Sequence, residues 1–191
     1  MVMSELSLHI LDIAQNSITA AAQSIYIAIR QDSAADMIYT TVSDDGAGMD
    51  EEELKKAVSP FHTGRKSRKI GLGIPFIKQE AELCGGKFSL SSKKGEGTKL
   101  EASFRLSSID RPPLGNMADT VCALICANPD TDITYEHTID GKGFVFSTKQ
   151  LDGATCGDIV SGEAGAAARI REHLIEAIQA AGTQARANSA L

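Results

Sequence analysis

Residues 5–22, ELSLHILDIAQNSITAAA, run without a Gly or a Pro. At about 100° per residue, Leu6, Ile10, Ile13, Ser17 and Ala21 share one side, and Glu5, His9, Asp12, Asn16 and Thr19 form a narrow stripe about a third of a turn away. A helix this apolar must lie against a second layer, and the strands that follow can supply it. Ser4 is the expected N-cap. Asp12 and Asn16 stand one turn apart on the polar stripe, a carboxylate and a carboxamide where the rest reads as packing material.

SIYIAIRQ (24–31) and MIYTTVSD (37–44) alternate as strands do and suit a hairpin. Asp50 to Val58 reads as a helix, with acidic residues in its first turn and Lys55 and Lys56 later, as the helix dipole favours. The loop SPFHTGRKSRKI leads into GLGIPFIKQEAELCGG, a helix closed by a glycine pair. KFSLSS and TKLEASFRL follow as strands around the turn KKGEG, and IDRPPLG marks a boundary near residue 110. The expected organisation is residues 1–108, a linker at 109–115, and a small α+β unit at 116–191. That unit comprises a helix from Met117 to Ala127, a hairpin turning at Asp140 to Gly143, a helix from about Glu163 to Ala181, and a fraying tail, GTQARANSAL.

The chain has 191 residues, 42% of them hydrophobic, enough for a medium domain with a small one beside it. A net charge of -6, concentrated beyond residue 115, argues against a protein held on nucleic acid by phosphate neutralisation. The opening MVMSELSLHI has no cationic segment ahead of a long apolar run, and no stretch is apolar for the length of a membrane span, so a soluble cytoplasmic protein is expected. Cys84, Cys122, Cys126 and Cys156 read as reduced core thiols; Cys122 and Cys126 share a helix face but lack a third metal ligand nearby in the sequence.

Two further stretches carry chemistry. In SDDGAGMD, Gly46 and Gly48 let the backbone turn and a ligand come close, and Asp44 supplies an acceptor beside that turn. A calcium loop does not fit, because Gly46 and Gly48 bring no side-chain oxygen. In GLGIPFIKQE, Gly71 and Gly73 sit at a helix mouth whose exposed N–H groups favour phosphate. It is neither a Rossmann fingerprint, since Phe76 replaces the third glycine, nor a P-loop. These elements occur in a fixed order: an Asp/Asn helix, a strand ending in DDGAG, the cationic loop GRKSRK, the GLG helix mouth, and GEGT before a strand.

That order, over roughly residues 5–106, resembles the GHKL superfamily of ATP-binding domains, the Bergerat fold of DNA gyrase, the ninety-kilodalton heat-shock chaperone, histidine kinases and MutL. DIAQNSITAAA resembles the N-box, DDGAG and GLGIP the two glycine boxes, and GEGT the closing Gly-Thr element. The resemblance implies an α+β, two-layer sandwich with helices on one face of a mixed sheet, followed by the small α+β unit. It implies ATP and Mg2+ as cofactors, with Asn16 holding the magnesium and Asp12 standing where hydrolysing members place the glutamate that activates water. Asp12 is one methylene shorter than that glutamate. By the same resemblance Asp44 accepts the adenine amino hydrogen, Gly46, Gly48 and Met49 admit the base, and Thr98 supports it through water. Arg65 and Lys66 would neutralise the triphosphate, and Gly71, Leu72 and Gly73 would form the second glycine box.

His9, on the pocket stripe, reads either as ligand-facing or as a hydrogen-bonded structural histidine; His62, in the loop before GRK, reads as a loop residue rather than a catalyst, and His137 and His173 carry no site signal. The matched region begins close to Met1, leaving no room for an upstream phosphoacceptor hairpin, so a separate protein is the expected acceptor if phosphate is transferred. The resemblance thus implies a histidine kinase-like ATPase or protein kinase in a regulatory role; the alternative is an ATP-dependent protein-binding switch of the anti-sigma type. A protein partner is expected in both, a nucleic-acid partner in neither, and the oligomeric state, homodimer included, stays open.

Overall fold

The computed structural model describes residues 5–59, 73–151 and 164–189. The element order is α1 (Leu6–Thr19), β1 (Ser24–Asp32), β2 (Met37–Asp44), α2 (Glu51–Ala57), α3 (Gly73–Leu83), β3 (Phe88–Lys93), β4 (Gly97–Arg105), α4 (Met117–Ala127), β5 (Asp132–Ile139), β6 (Lys142–Ser147) and α5 (Ala164–Ser189). The strands form one mixed sheet in the order β3-β4-β2-β1-β5-β6. Among the described residues only β1 and β5 pair in parallel, with Ile27 opposite Tyr135; every other neighbour is antiparallel. Ile25, Ile27 and Ile29 of β1, Ile38 and Val42 of β2, and Leu100, Ala102 and Phe104 of β4 are buried on one face. Leu6, Ile10, Ile13 and Ala14 of α1 join the same core, which is the expected α+β sandwich.

The expected helix–hairpin–helix plan of the C-terminal part is present as α4, β5–β6 and α5. Its hairpin continues the sheet of the preceding part through the β1–β5 pairing, and Val121, Leu124, Ile133, Ile170 and Leu174 share the core with α1. The boundary near residue 110 therefore separates two segments of one sheet. The β5–β6 turn is the two-residue Asp140–Gly141, both at positive φ, as a tight hairpin demands.

Three boundary expectations need correction. Ser4 lies outside the described residues, and Glu5 occupies the N-cap of α1 without a side-chain cap bond. The linker caps instead: Leu6 N–H donates to the Pro113 carbonyl and Ser7 N–H to that of Leu114, both at 2.9 Å. At its other end α1 stops at Thr19, because Ala21 takes a φ of +58° to turn the chain into β1. The supposedly frayed tail is helical through Ser189, since Ala181 and Ala185, one turn apart, are buried and offset the weakness of Gly182.

Beneath this C-terminal half lies a buried aromatic cluster. The Tyr135 hydroxyl and His137 Nδ1 are 2.6 Å apart, and the His137 ring stacks on Phe144. Burial lowers the His137 pKa from 6.5 to about 4 and holds the Tyr135 hydroxyl above its ordinary range. Between these two pH values the unfolded chain binds a proton that the folded chain refuses. Stability from this group is complete above pH 6.5 and is lost as pH falls toward 4, by about 3 kcal/mol. Urea unfolding between pH 7 and 4.5 should show about 2 kcal/mol of extra acid sensitivity in the wild type over Tyr135→Phe/His137→Phe; parallel curves would refute it.

Candidate nucleotide-binding cleft

β2 delivers Asp44 to the sheet edge, and both of its carboxylate oxygens are held. The Ser17 hydroxyl donates to Oδ2 at 2.6 Å and Gly46 N–H to Oδ1 at 2.9 Å. The ladder sets Thr98 directly across from Asp44 on β4. Ser92 on β3 lies 2.9 Å from the Thr98 hydroxyl and also accepts Met49 N–H at 2.8 Å.

The loop after Asp44 is pinned from two sides. Ala47 N–H donates to the Ala20 carbonyl at the end of α1, and Gly95 N–H in the β3–β4 turn donates to the Ala47 carbonyl. Between them Gly48 takes a φ of +63°, and a Cβ there would stand 2.0 Å from the Lys93 carbonyl oxygen. The loop then enters α2, whose N-cap Asp50 and Glu53 form a reciprocal capping box.

A cleft of about 370 Å³ opens above this loop. Asn16, Asp44, Gly48, Met49 and Thr98 line it together on a floor of Ile13, Val42, Ile74, Leu90 and Leu100. Gly46 lies buried behind the loop against Ala20. Asp12 and Gly73 stand beside the cleft and bond to each other, with Gly73 N–H donating to Asp12 Oδ2 at 2.9 Å. Arg65, Lys66, Gly71 and Leu72 lie outside the described residues. His9 is buried, with its Nε2 3.0 Å from Glu80 Oε2 of α3.

Sequence reasoning missed Ser17, Ser92 and Lys56. Ser17 sits on the apolar side of α1 and reads as packing; a hydroxyl next to Asn16 on that side was the available signal. Lys56 lines the cleft from α2, one residue before the buried Ala57. The thiols of Cys122 and Cys126 are 4.0 Å apart, and among the described residues no three His, Cys, Asp or Glu side chains form a metal-ligand group.

A mixed sheet covered by helices, with a carboxylate at a strand end, an amide on the first helix and a glycine-bearing loop lining one cleft, defines a nucleotide-binding domain of the GHKL type. The chain belongs to the histidine kinase-, DNA gyrase B-, and HSP90-like ATPase family, whose pattern matches residues 2–108. It is 33% identical over 81 residues to the CAI-1 autoinducer sensor kinase/phosphatase CqsS of Vibrio cholerae, covering 42% of this chain and 12% of that protein. To the sensor histidine kinase YxdK of Bacillus subtilis it is 30% identical over 67 residues, 33% of this chain and 21% of that one. The chain thus matches only a small part of each relative's length. In fold it is similar to the Aquifex aeolicus MutL ATPase domain complexed with ADP, at a TM-score of 0.52 and 15% identity, covering 85% of this chain and 70% of that one. No helix among the described residues is long and apolar enough to cross a membrane.

Proposed function

We propose that the cleft binds ATP with Mg2+, and that the chain hydrolyses it or passes its terminal phosphoryl group to a separate protein in a regulatory role. The observation that carries this reading is the Asn16 side chain. It lines the cleft, and its Nδ2 is buried without a hydrogen-bond partner. A buried unpaired amide costs about 1–3 kcal/mol, a cost that a ligand can relieve. A half-turn of the carboxamide exchanges its oxygen and nitrogen, so the oxygen can face a cation.

The donor set suits magnesium. With no three-residue ligand cluster among the described residues, a cation here takes most of its ligands from phosphate oxygens and water, as Mg2+ does. When bound, the ion supplies charge neutralisation for the triphosphate. Asp44, immobilised by Ser17 and Gly46, accepts the adenine amino hydrogen and repels the guanine carbonyl oxygen at the same position. Lys56 brings a positive charge to the cleft wall.

A second reading, an ATP-dependent binding switch without turnover, is favoured by one observation. Asp12, the expected water activator, is absent from the cleft lining and bonded to Gly73. Incubation with γ-labelled ATP and cell extract separates the two. Label in free phosphate or in another protein supports turnover, and bound ATP recovered intact supports the switch. Calorimetry that detects no Mg-ATP binding would sink both.

A further inference from the structure

The polar stripe of α1 divides between two tasks. His9 and Asp12 reach α3, through Glu80 and Gly73 respectively, while Asn16 and Thr19 face the cleft. Gly73 opens α3, so its N–H is among the donors that no carbonyl inside the helix can satisfy, and it lies at the positive end of the helix dipole. A carboxylate from another helix therefore caps α3. The fit is close: a Cβ on Gly73 would stand 2.3 Å from Asp12 Oδ2 and 3.1 Å from its Cγ.

A general base must direct a free lone pair at water within hydrogen-bond reach of the terminal phosphate. Asp12 does not line the cleft, and its Oδ2 is engaged by Gly73 N–H. We propose that Asp12 is a positioning residue rather than the water-activating base. It fastens the mouth of α3 to the helix that carries Asn16. One turn along α1 from Asp12 is Asn16, and one residue along α3 from Gly73 is Ile74, both lining the cleft. The clamp thus sets the spacing of two walls of the same site. This inference rests on the cleft being an ATP site.

The test compares wild type, Asp12→Asn, Asp12→Ala and Gly73→Ala. Asparagine keeps an acceptor oxygen at the same reach, so Asp12→Asn should retain Mg-ATP affinity, and whatever turnover the wild type has, within about twofold, with the acid limb of the pH–rate profile in place. Asp12→Ala and Gly73→Ala break the same bond from opposite sides. Each should weaken Mg-ATP binding about tenfold and speed amide hydrogen exchange in the first turn of α3 without nucleotide, and the double variant should be no worse than either. A tenfold turnover loss in Asp12→Asn at unchanged affinity would overturn the clamp, as would unchanged α3 exchange in Asp12→Ala. Should Gly73→Ala fail to fold, the Asn against Ala contrast at position 12 decides alone. If the wild type binds no ATP, the functional reading fails while nucleotide-free exchange still judges the clamp.

Discussion

Asn16→Ala should weaken Mg-ATP binding sharply while leaving the nucleotide-free chain as stable as before or more so. The two effects have opposite signs because the side chain works against the fold. Its Nδ2 is buried with no partner, so truncation removes a desolvated polar group that costs about 1–3 kcal/mol. The lost packing is small, since Asn16 is only half-buried at the cleft wall. On the binding side, the variant loses the amide proposed to hold the cation, and affinity should fall at least about 100-fold, roughly 2.7 kcal/mol. Titration calorimetry with Mg-ATP and urea unfolding without it are the measurements. Equal ATP affinity in the two proteins would remove Asn16 from the cation site, and a large loss of stability would mean that its amide serves the fold.

Gly48→Ala should damage both fold and cleft, lowering stability by about 3 kcal/mol or more. Its φ of +63° already penalises any side chain, and the added carbon meets Lys93 backbone, 2.0 Å from the carbonyl oxygen and 2.7 Å from the carbon. That backbone cannot retreat easily, because Lys93 is paired with Gly97 at the end of the β3–β4 ladder. The loop must move instead, carrying Met49 and Ala47 out of the cleft wall. Gly95→Ala is the control. It has a φ of +80° but nothing within 4 Å of an added Cβ, so it should cost only the conformational strain, about 1–2 kcal/mol. Urea midpoints for the two variants, with calorimetry on each, test the difference. Equal losses would show that backbone strain alone matters at Gly48.

Local periodicity and turn chemistry made most elements legible. The apolar stripe of α1, the alternating β1–β2 pair, the acidic first turn of α2, the Gly85–Gly86 stop after α3 and the Asp140–Gly141 turn are signals within a few residues of one another. The order of the N-box and glycine boxes likewise led to the family. Asn16 in the last turn of α1, Asp44 at the end of β2, Thr98 near the start of β4, and Gly48 and Met49 in the loop between β2 and α2 line one cleft because the register of these elements is set locally.

What remained hidden depends on residues far apart in the chain. Periodicity marked Ser17 as apolar-side packing; its hydroxyl became a support for Asp44 only when α1 lay across the end of β2. Asp12 stood on the same stripe as Asn16, and only the approach of α3 turned it toward Gly73. The chain by itself determined which segments are helix or strand and which residue types a nucleotide cleft could draw upon. Tertiary packing alone decided that β5 continues the sheet beside β1, that the linker carbonyls cap α1, and that Asp12 serves a helix mouth. These are contacts chosen by the burial of whole faces, and no spacing along the chain encodes them.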